Sequence, residues 1–332
     1  MGAGRRRAVN RLRSFRRIEG ISQSDLAATL GISPQMVSKV ENGWLMPKFD
    51  LQKLGYKSSM LEVAEMTEPL HRQRASTPVA SRNRAKELLR LAGEAFVGLR
   101  GRMQHHLEPL GPARSDEEIA DIALEVRTWA LKLEENAPIK NLTKAVENAG
   151  VCLVPLTGLK GIDGLSSWVG KQPVIGLKID VPGDRFRLTL AHELGHLVLH
   201  TPSREQAEPE ANRFAAALLI PDEEFAGGIE AMEGRLTIRN FLKMKGVWGV
   251  SASALIYRAF HSGYLSDRSY RSLQIQMSKW RKNEPASFDI APGTLLPELV
   301  EANGGVERCG ETLGLNPDHL SMVLDWRRLR AV

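Results

Sequence analysis

Residues 185–200 read RFRLTLAHELGHLVLH. At about 100° per residue, Thr189, His192, Glu193, His196 and His200 fall within an arc of roughly 100°, while Leu188, Leu190, Ala191, Leu194, Leu197, Val198 and Leu199 fill the rest. A helix that is apolar nearly all round is a buried one, so its polar arc must find partners. After a turn-like TPSREQ, residues 207–220 (AEPEANRFAAALLI) predict a second helix stopped by Pro221. Pro209 falls in its first turn, where a missing N–H is harmless. Glu208, Asn212, Ala215 and Leu219 share one face of it; Glu210 and Arg213 point elsewhere. Periodicity further predicts helices over residues 82–107, 116–135, 140–148 and 252–261. Short apolar runs at residues 151–156, 164–169 and 174–179 predict three strands of a small sheet. Residues 285–332 predict a Pro/Gly-rich connection and two or three short helices, with Leu313, Leu315, Leu320, Val323, Leu324 and Trp326 forming a small core. The expected class is mostly α with a small β-sheet (α+β).

Two histidines at i and i+4 of a buried helix can share one Zn²⁺, with the glutamate between them acting as base toward water. The candidate ligands are therefore His192 and His196, with Glu193 as the catalytic base. Among acids on the following helix, Glu208 is the better third ligand, with Asn212 one turn later placed to orient a ligand; Glu210 is the alternative. A His-His-Glu set leaves the fourth position open, as catalytic zinc sites do. His200 would close it into a structural site, and a buried hydrogen-bonded His/Glu cluster is the reading without metal. The three-histidine arrangement that needs Gly at 199 and His at 202 is excluded by Leu199 and Pro202.

The run Arg187 to His200, followed by Glu208-Pro209-Glu210-Ala211-Asn212-Arg213-Phe214-Ala215 and Leu218-Leu219-Ile220-Pro221, resembles the ImmA/IrrE metallopeptidase family. Residues 129–154, with Pro138-Ile139 and Asn141-Leu142, and Gly161-Ile162-Asp163-Gly164-Leu165-Ser166 extend the likeness upstream. Residues 250–259 (VSASALIYRA), Trp280-Arg281-Lys282 and Glu284-Pro285 extend it downstream, so that it covers roughly residues 115–285. The resemblance implies a zincin-type fold and a site-specific endopeptidase whose usual targets are DNA-binding repressors. It also makes Gly164–Val169 the candidate edge strand for an extended substrate. Tyr257 and His261, one turn apart, are candidate donors to a tetrahedral intermediate, against the plainer reading of packing or surface groups.

Residues 8–43 read as a second, compact module. An arginine-rich helix over residues 8–18 is followed by a turn at Gly20-Ile21. Ser22 and Asp25 form a capping-box-like start for a helix ending at Leu30. Gly31 makes the next turn, Ser33 caps a third helix, and Pro34 suits its first position. Leu12, Leu26, Ala27, Leu30, Ile32, Val37 and Val40 supply a core. The stretch SQSDLAATLGISPQMVSKVENG resembles the XRE/lambda-repressor-type helix-turn-helix. That resemblance implies a phosphate contact for Gln23, major-groove contacts for Gln35 and Lys39 with Ser38 nearby, and an internal ion pair between Arg16 and Glu41. A helical protein-interaction module of the same fold is the alternative. Residues 48–66 depart from the family pattern, which implies a shortened fourth helix.

Charge sharpens this division. Residues 1–114 hold 20 Lys and Arg against 10 Asp and Glu; the remainder hold 25 against 29, so a net +6 conceals a basic front and a mildly acidic rest. A basic front end suits a polyanion such as double-stranded DNA. Arg5, Arg6, Arg7, Arg11, Arg13, Arg16 and Arg17 form the strongest run, read as a backbone-contacting arm or as a solvated tail. Two cysteines, Cys152 and Cys309, give no disulfide framework and favour a reducing cytosol. No apolar run approaches the roughly 18 residues of a membrane span, so no membrane partner and a cytoplasmic location are expected. Gln104-His105-His106 is not expected to bind metal, because adjacent histidines on a helix face different ways.

The expected organisation is a DNA-binding domain (1–66), a linker and connecting helix (67–114), a zinc peptidase domain (115–285) and a helical extension (286–332). The expected function is a zinc endopeptidase that binds an operator and cleaves a protein such as a repressor or antitoxin, with a second copy of the chain as a candidate partner in a homodimer. The alternative is a transcriptional regulator or antitoxin whose zincin domain serves as a sensor or partner platform without proteolysis.

Overall fold

The computed structural model describes residues 10–45, 51–56, 63–68, 77–100, 105–200, 206–280, 284–285 and 288–326. Arg5, Arg6, Arg7, Gln104, Arg281, Lys282 and residues 201–205 lie outside them. The described residues are mostly helical with one three-stranded sheet, as the hydrophobic pattern predicts. It divides into two compact units, each assembled from separated stretches: residues 1–104, 151–176 and 293–327, and residues 105–150, 177–292 and 328–332.

The first unit opens with α1 (Asn10–Glu19), α2 (Gln23–Leu30) and α3 (Pro34–Glu41). Ser22 and Asp25 form a reciprocal capping box, Gly31 takes the left-handed conformation at φ 70°, and Ser33 caps α3 with Pro34 in its first turn. Each of these local choices agrees with the next, which is what specifies a three-helix turn at this length. Leu12, Leu26, Ala27, Leu30, Val37 and Val40 are buried, with Ile18 added and Ile32 half-buried. The Arg16 guanidinium donates two bonds to the Glu41 carboxylate, at 2.6 and 2.9 Å, so the expected internal pair forms. Among the described residues of 48–66, a 3₁₀ turn at Leu51–Leu54 is the helical element; residues 48–50 and 57–62 lie outside the described residues.

Behind this module lies α4 (Val79–Leu99), whose Leu88, Leu89, Leu91, Ala92, Ala95 and Phe96 are buried. It crosses the strands β1 (Cys152–Leu156), β2 (Gly164–Val169) and β3 (Gln172–Lys178), ordered β1-β3-β2. The helix sits so close that a Cβ at Gly93 would meet Val169 Cβ at 2.7 Å. The strands are buried almost without interruption, Ser166 and Ser167 of β2 included, so none shows the alternation of a strand with one solvated face.

Strand β2 is an edge of this sheet, but the outer side of its C-terminal half is paired. Glu65–Thr67 pairs antiparallel along it: Thr67 N donates to Trp168 O at 2.9 Å, Gly170 N to Glu65 O at 2.7 Å, and Met66 bridges Val169. Of the edge proposed from sequence for an extended substrate, Ser167–Val169 is thus paired with the chain's own residues.

The C-terminal helices α13 (Leu295–Ala302), α14 (Gly305–Leu313) and α15 (Pro317–Met322) contribute Leu296, Val300, Leu315, Leu320 and Val323 to the same core as α1–α4. His319, fully buried, ties α15 to the front of the unit: Nδ1 lies 2.7 Å from Tyr56 Oη and Nε2 lies 2.6 Å from Glu19.

The second unit begins with α5 (Asp116–Glu125), capped by Ser115. The helix predicted to reach Glu135 instead widens into a π turn at Val126–Ala130 and stops at Leu131, with Lys132 left-handed at φ 53°. Buried Arg127 is the physical reason. Its guanidinium donates to the carbonyls of Glu134 (2.8 Å), Leu218 (2.6 Å) and Ala137, so the loop after the helix folds back around it. Then come α6 (Leu142–Asn148), α7 (Gly183–Leu199), α8 (Ala207–Leu219), α9 (Asp222–Glu230), α10 (Ile238–Trp248), α11 (Ala252–His261) and α12 (Asp267–Met277). Among the described residues no helix is long and apolar enough to cross a membrane.

Candidate metal centre

Helices α7 and α8 carry the candidate chemistry. On α7, Leu190, Ala191, Leu194, Leu197, Val198 and Leu199 are buried, as a helix apolar nearly all round requires. On α8, Ala211, Phe214, Ala215, Leu218 and Leu219 are buried. Gly195 lets the two helices approach closely, because a Cβ there would lie 2.9 Å from the Phe214 ring. Ile220 ends α8 in an extended conformation, and Pro221 starts α9.

This packing brings His192, His196 and Glu208 together. One ligand atom from each lies within 4.8 Å of the others. His192 Nε2 is 3.6 Å from Glu208 Oε2, and His196 Nε2 is 3.5 Å from Glu208 Oε1. The imidazole rings stand nearly perpendicular, with centroids 4.6 Å apart. Both Nδ1 atoms face away from the cluster and are bonded elsewhere: His192 Nδ1 to Asn212 Oδ1 at 3.0 Å, and His196 Nδ1 to His200 Nδ1 at 2.9 Å. Glu193 is buried on the same helix, 3 % exposed.

Glu210 does not face this cluster; it bonds His200 Nε2 at 2.9 Å. Both ring nitrogens of His200 are thereby engaged. The Glu210–His200–His196 chain escaped the sequence reading, which weighed Glu210 and His200 only as ligands. The signal was present in the shared arc of His196 and His200, one turn apart. Tyr257 and His261 pack ring on ring at 4.1 Å on α11, with Tyr257 55 % exposed.

The residues suit a metal ion. His196 Nε2 is buried and has no hydrogen-bond partner, which is costly for a polar atom. It points at a carboxylate shared with a second Nε2, and two imidazoles with one carboxylate form a donor set that zinc accepts.

In the first unit, Gln35 and Lys39 are exposed on α3, and Ser38 is half-buried beneath Asn42, whose amide donates to its hydroxyl at 3.4 Å. The Gln23 amide is turned inward and donates to Glu41 at 2.9 Å.

The fold and site together describe a helix-turn-helix DNA-binding module joined to a metallopeptidase-like domain. Residues 149–260 match the Peptidase M78 model, the IrrE N-terminal-like domain, and residues 12–51 match a helix-turn-helix model. Both resemblances read from the sequence are thus borne out. No curated relative matches the chain.

Proposed function

We propose that the protein is a zinc-dependent endopeptidase fused to an operator-binding module, and that it cleaves a regulatory protein such as a repressor or antitoxin in the cytoplasm. His192, His196 and Glu208 hold the metal. The convergence of two Nε2 atoms on the Glu208 carboxylate, one of them buried without a hydrogen bond, is the observation that carries this reading.

When bound, zinc supplies Lewis acidity toward the scissile carbonyl and toward the attacking water. Glu193, adjacent to His192 and on the inward side of α7, takes the proton from that water and passes it to the departing amine. Asn212 accepts from His192 Nδ1–H and so keeps the Nε2 lone pair directed at the metal. Tyr257 or His261 donates to the oxyanion. In the first unit, Gln35 and Lys39, with Ser38 nearby, read base edges from the exposed face of α3 and Gln23 meets a phosphate, and a homodimer would place two such helices on two half-sites.

The test begins with the zinc content of the purified full-length chain. About one zinc per chain is expected, lost in His192→Ala and Glu208→Ala. Glu193→Gln is expected to retain zinc and to lose cleavage of the partner protein; cleavage at the wild-type rate by that variant would refute the assignment of the base. The exposed face of α3 favours one competing reading, a DNA-binding regulator whose zincin-like domain only senses or docks. A footprint at its own promoter with no cleaved partner in cells would select that reading.

A further inference from the structure

We infer that Glu210 and His200 form a positioning relay that sets the tautomer and orientation of His196; the inference rests on the reading of His192, His196 and Glu208 as a metal centre. Glu210 Oε2 lies 2.9 Å from His200 Nε2, and His200 Nδ1 lies 2.9 Å from His196 Nδ1. Two nitrogens at that distance need a proton between them, and the chain of acceptors decides which nitrogen carries it. An ionised carboxylate only accepts. His200 Nε2 must therefore carry a hydrogen and donate to Glu210. A metal held at His196 Nε2 needs the lone pair of that atom, so the hydrogen between the two rings belongs to His196 Nδ1, and His200 Nδ1 accepts it. His196 in turn is left with its lone pair on Nε2, the atom that faces Glu208 at 3.5 Å.

Each link is buried well enough to hold. His196 is 2 % exposed and His200 6 %, and the side chain of Glu210 is 12 % exposed. Water therefore competes poorly for these atoms. The relay also couples the two helices along two lines. Asn212 on α8 reaches back to His192, and Glu210, two residues earlier on α8, reaches back through His200 to His196. Each metal-facing imidazole thus has its own orienting group on α8. The two differ in depth: the first contact is direct and lies on the open side, while the second runs through an intervening ring in the interior. His200 and Glu210 touch neither metal nor substrate in this scheme; they act through His196.

Two readouts on the full-length chain test the relay, one of which needs no metal. Long-range ¹H–¹⁵N spectra of the histidine-labelled apo protein report the tautomer of His196. The wild type is expected to show a single Nδ1–H form. Glu210→Leu and His200→Phe are expected to shift His196 toward a mixture with Nε2–H. His200→Gln, whose amide offers an acceptor and a donor at the two ends of the same link, is expected to restore the Nδ1–H form. Zinc affinity measured by competition with a chromophoric chelator is expected to fall roughly 10- to 100-fold in Glu210→Leu and His200→Phe, the range typical for loss of a group that orients a metal ligand, and to recover in His200→Gln. An unchanged His196 tautomer in Glu210→Leu would overturn the relay whether or not the protein binds zinc. A wild type that shows the Nδ1–H form but binds no zinc would leave the relay standing and refute the metal centre instead. Should His200→Phe fail to fold, Glu210→Leu and His200→Gln decide the matter.

Discussion

His192 Nδ1 lies 3.0 Å from Asn212 Oδ1, across the seam between α7 and α8. The amide oxygen can only accept, so the imidazole donates from Nδ1, while Nε2 faces Glu208 at 3.6 Å. Groups in this position typically govern metal affinity by one to two orders of magnitude. Asn212→Ala is therefore expected to weaken zinc binding roughly 10- to 100-fold, and Asn212→Asp, which keeps an acceptor oxygen, to stay near the wild type. Chelator competition measures both. Equal affinity for all three proteins would show that the bond does not orient His192.

The helix-turn-helix module depends on a similar buried pairing. The Glu41 side chain is 2 % exposed and bound by Arg16, while Arg13 donates to the Glu41 carbonyl at 2.5 Å. Removing one partner of a buried pair leaves an uncompensated charge, at a cost of about 3–5 kcal/mol; Arg16 is partly solvated, so Arg16→Ala is expected at the lower end, read from urea denaturation. Burial alone would raise the Glu41 pKa, but hydrogen bonds from Arg16 and Gln23 and the charges of Arg16 and Arg13 outweigh it, leaving it below the ordinary glutamate value of 4.5. A folded-state pKa below the unfolded one contributes stability that is fully present above the unfolded value and is lost as pH falls through the folded one. The wild type should thus lose stability in acid below about pH 4.5, and Glu41→Gln should show a shallower loss. Parallel acid profiles for the two would contradict this.

His319 makes a second, milder pH dependence. Burial is the main influence on it and lowers its pKa from 6.5, only partly offset by the hydrogen bond to Glu19 and by the charges of Glu19 and Asp318. The groups around it are Tyr56 and Glu19 in bonding contact and the Phe15 ring at 5.2 Å, with Arg84 adding a further lowering charge. Because the folded pKa is depressed, acid protonates the unfolded chain first, and stability falls as pH drops below about 6.5 toward the folded value. Thermal unfolding from pH 8 to 5 is expected to show a falling midpoint in the wild type and a flatter profile in His319→Asn. A midpoint in the wild type that is constant over this range would refute the assignment.

Where a local rule and the tertiary demand coincide, the sequence was readable. Ser22, Asp25, Gly31, Ser33 and Pro34 each announce a helix end, and those ends form. The continuous apolar runs of β1–β3 announce buried strands within a residue or two of their observed limits. The histidine arc on α7 and the Glu208/Asn212 face on α8 follow from helical spacing alone. What remained hidden depends on contacts distant in sequence. The predicted helix past Val126 is broken by Arg127, whose carbonyl partners include Leu218, 91 residues away. The covered edge of β2 requires a segment 100 residues earlier, and nothing in Glu65-Met66-Thr67 marks it as a strand. The C-terminal helices gave a core pattern but no address. The shared core with α1–α4 and the meeting of His319 with Tyr56 and Glu19 show that they complete that unit.

Gly195 supplies a test of the seam that changes no ligand. It is helical and not left-handed, so in isolation alanine would be favoured there by about 1 kcal/mol. In the folded chain an added Cβ would stand 2.9 Å from Phe214 Cδ1 and 3.2 Å from Phe214 Cβ. The atom nearest the Phe214 backbone cannot swing aside, so α8 must move, and overpacking of this kind costs typically 1–3 kcal/mol. The clash outweighs the propensity gain, and Gly195→Ala is expected to be net destabilising by about 1 kcal/mol. Because α8 carries Glu208 and Asn212, the same shift should weaken zinc binding even though His192, His196 and Glu208 are all retained. Phe214→Leu, placed in the Gly195→Ala background, removes the ring edge and should recover part of both losses. A Gly195→Ala protein that is more stable than the wild type and binds zinc equally well would mean that the close approach of α7 and α8 is not what assembles the site.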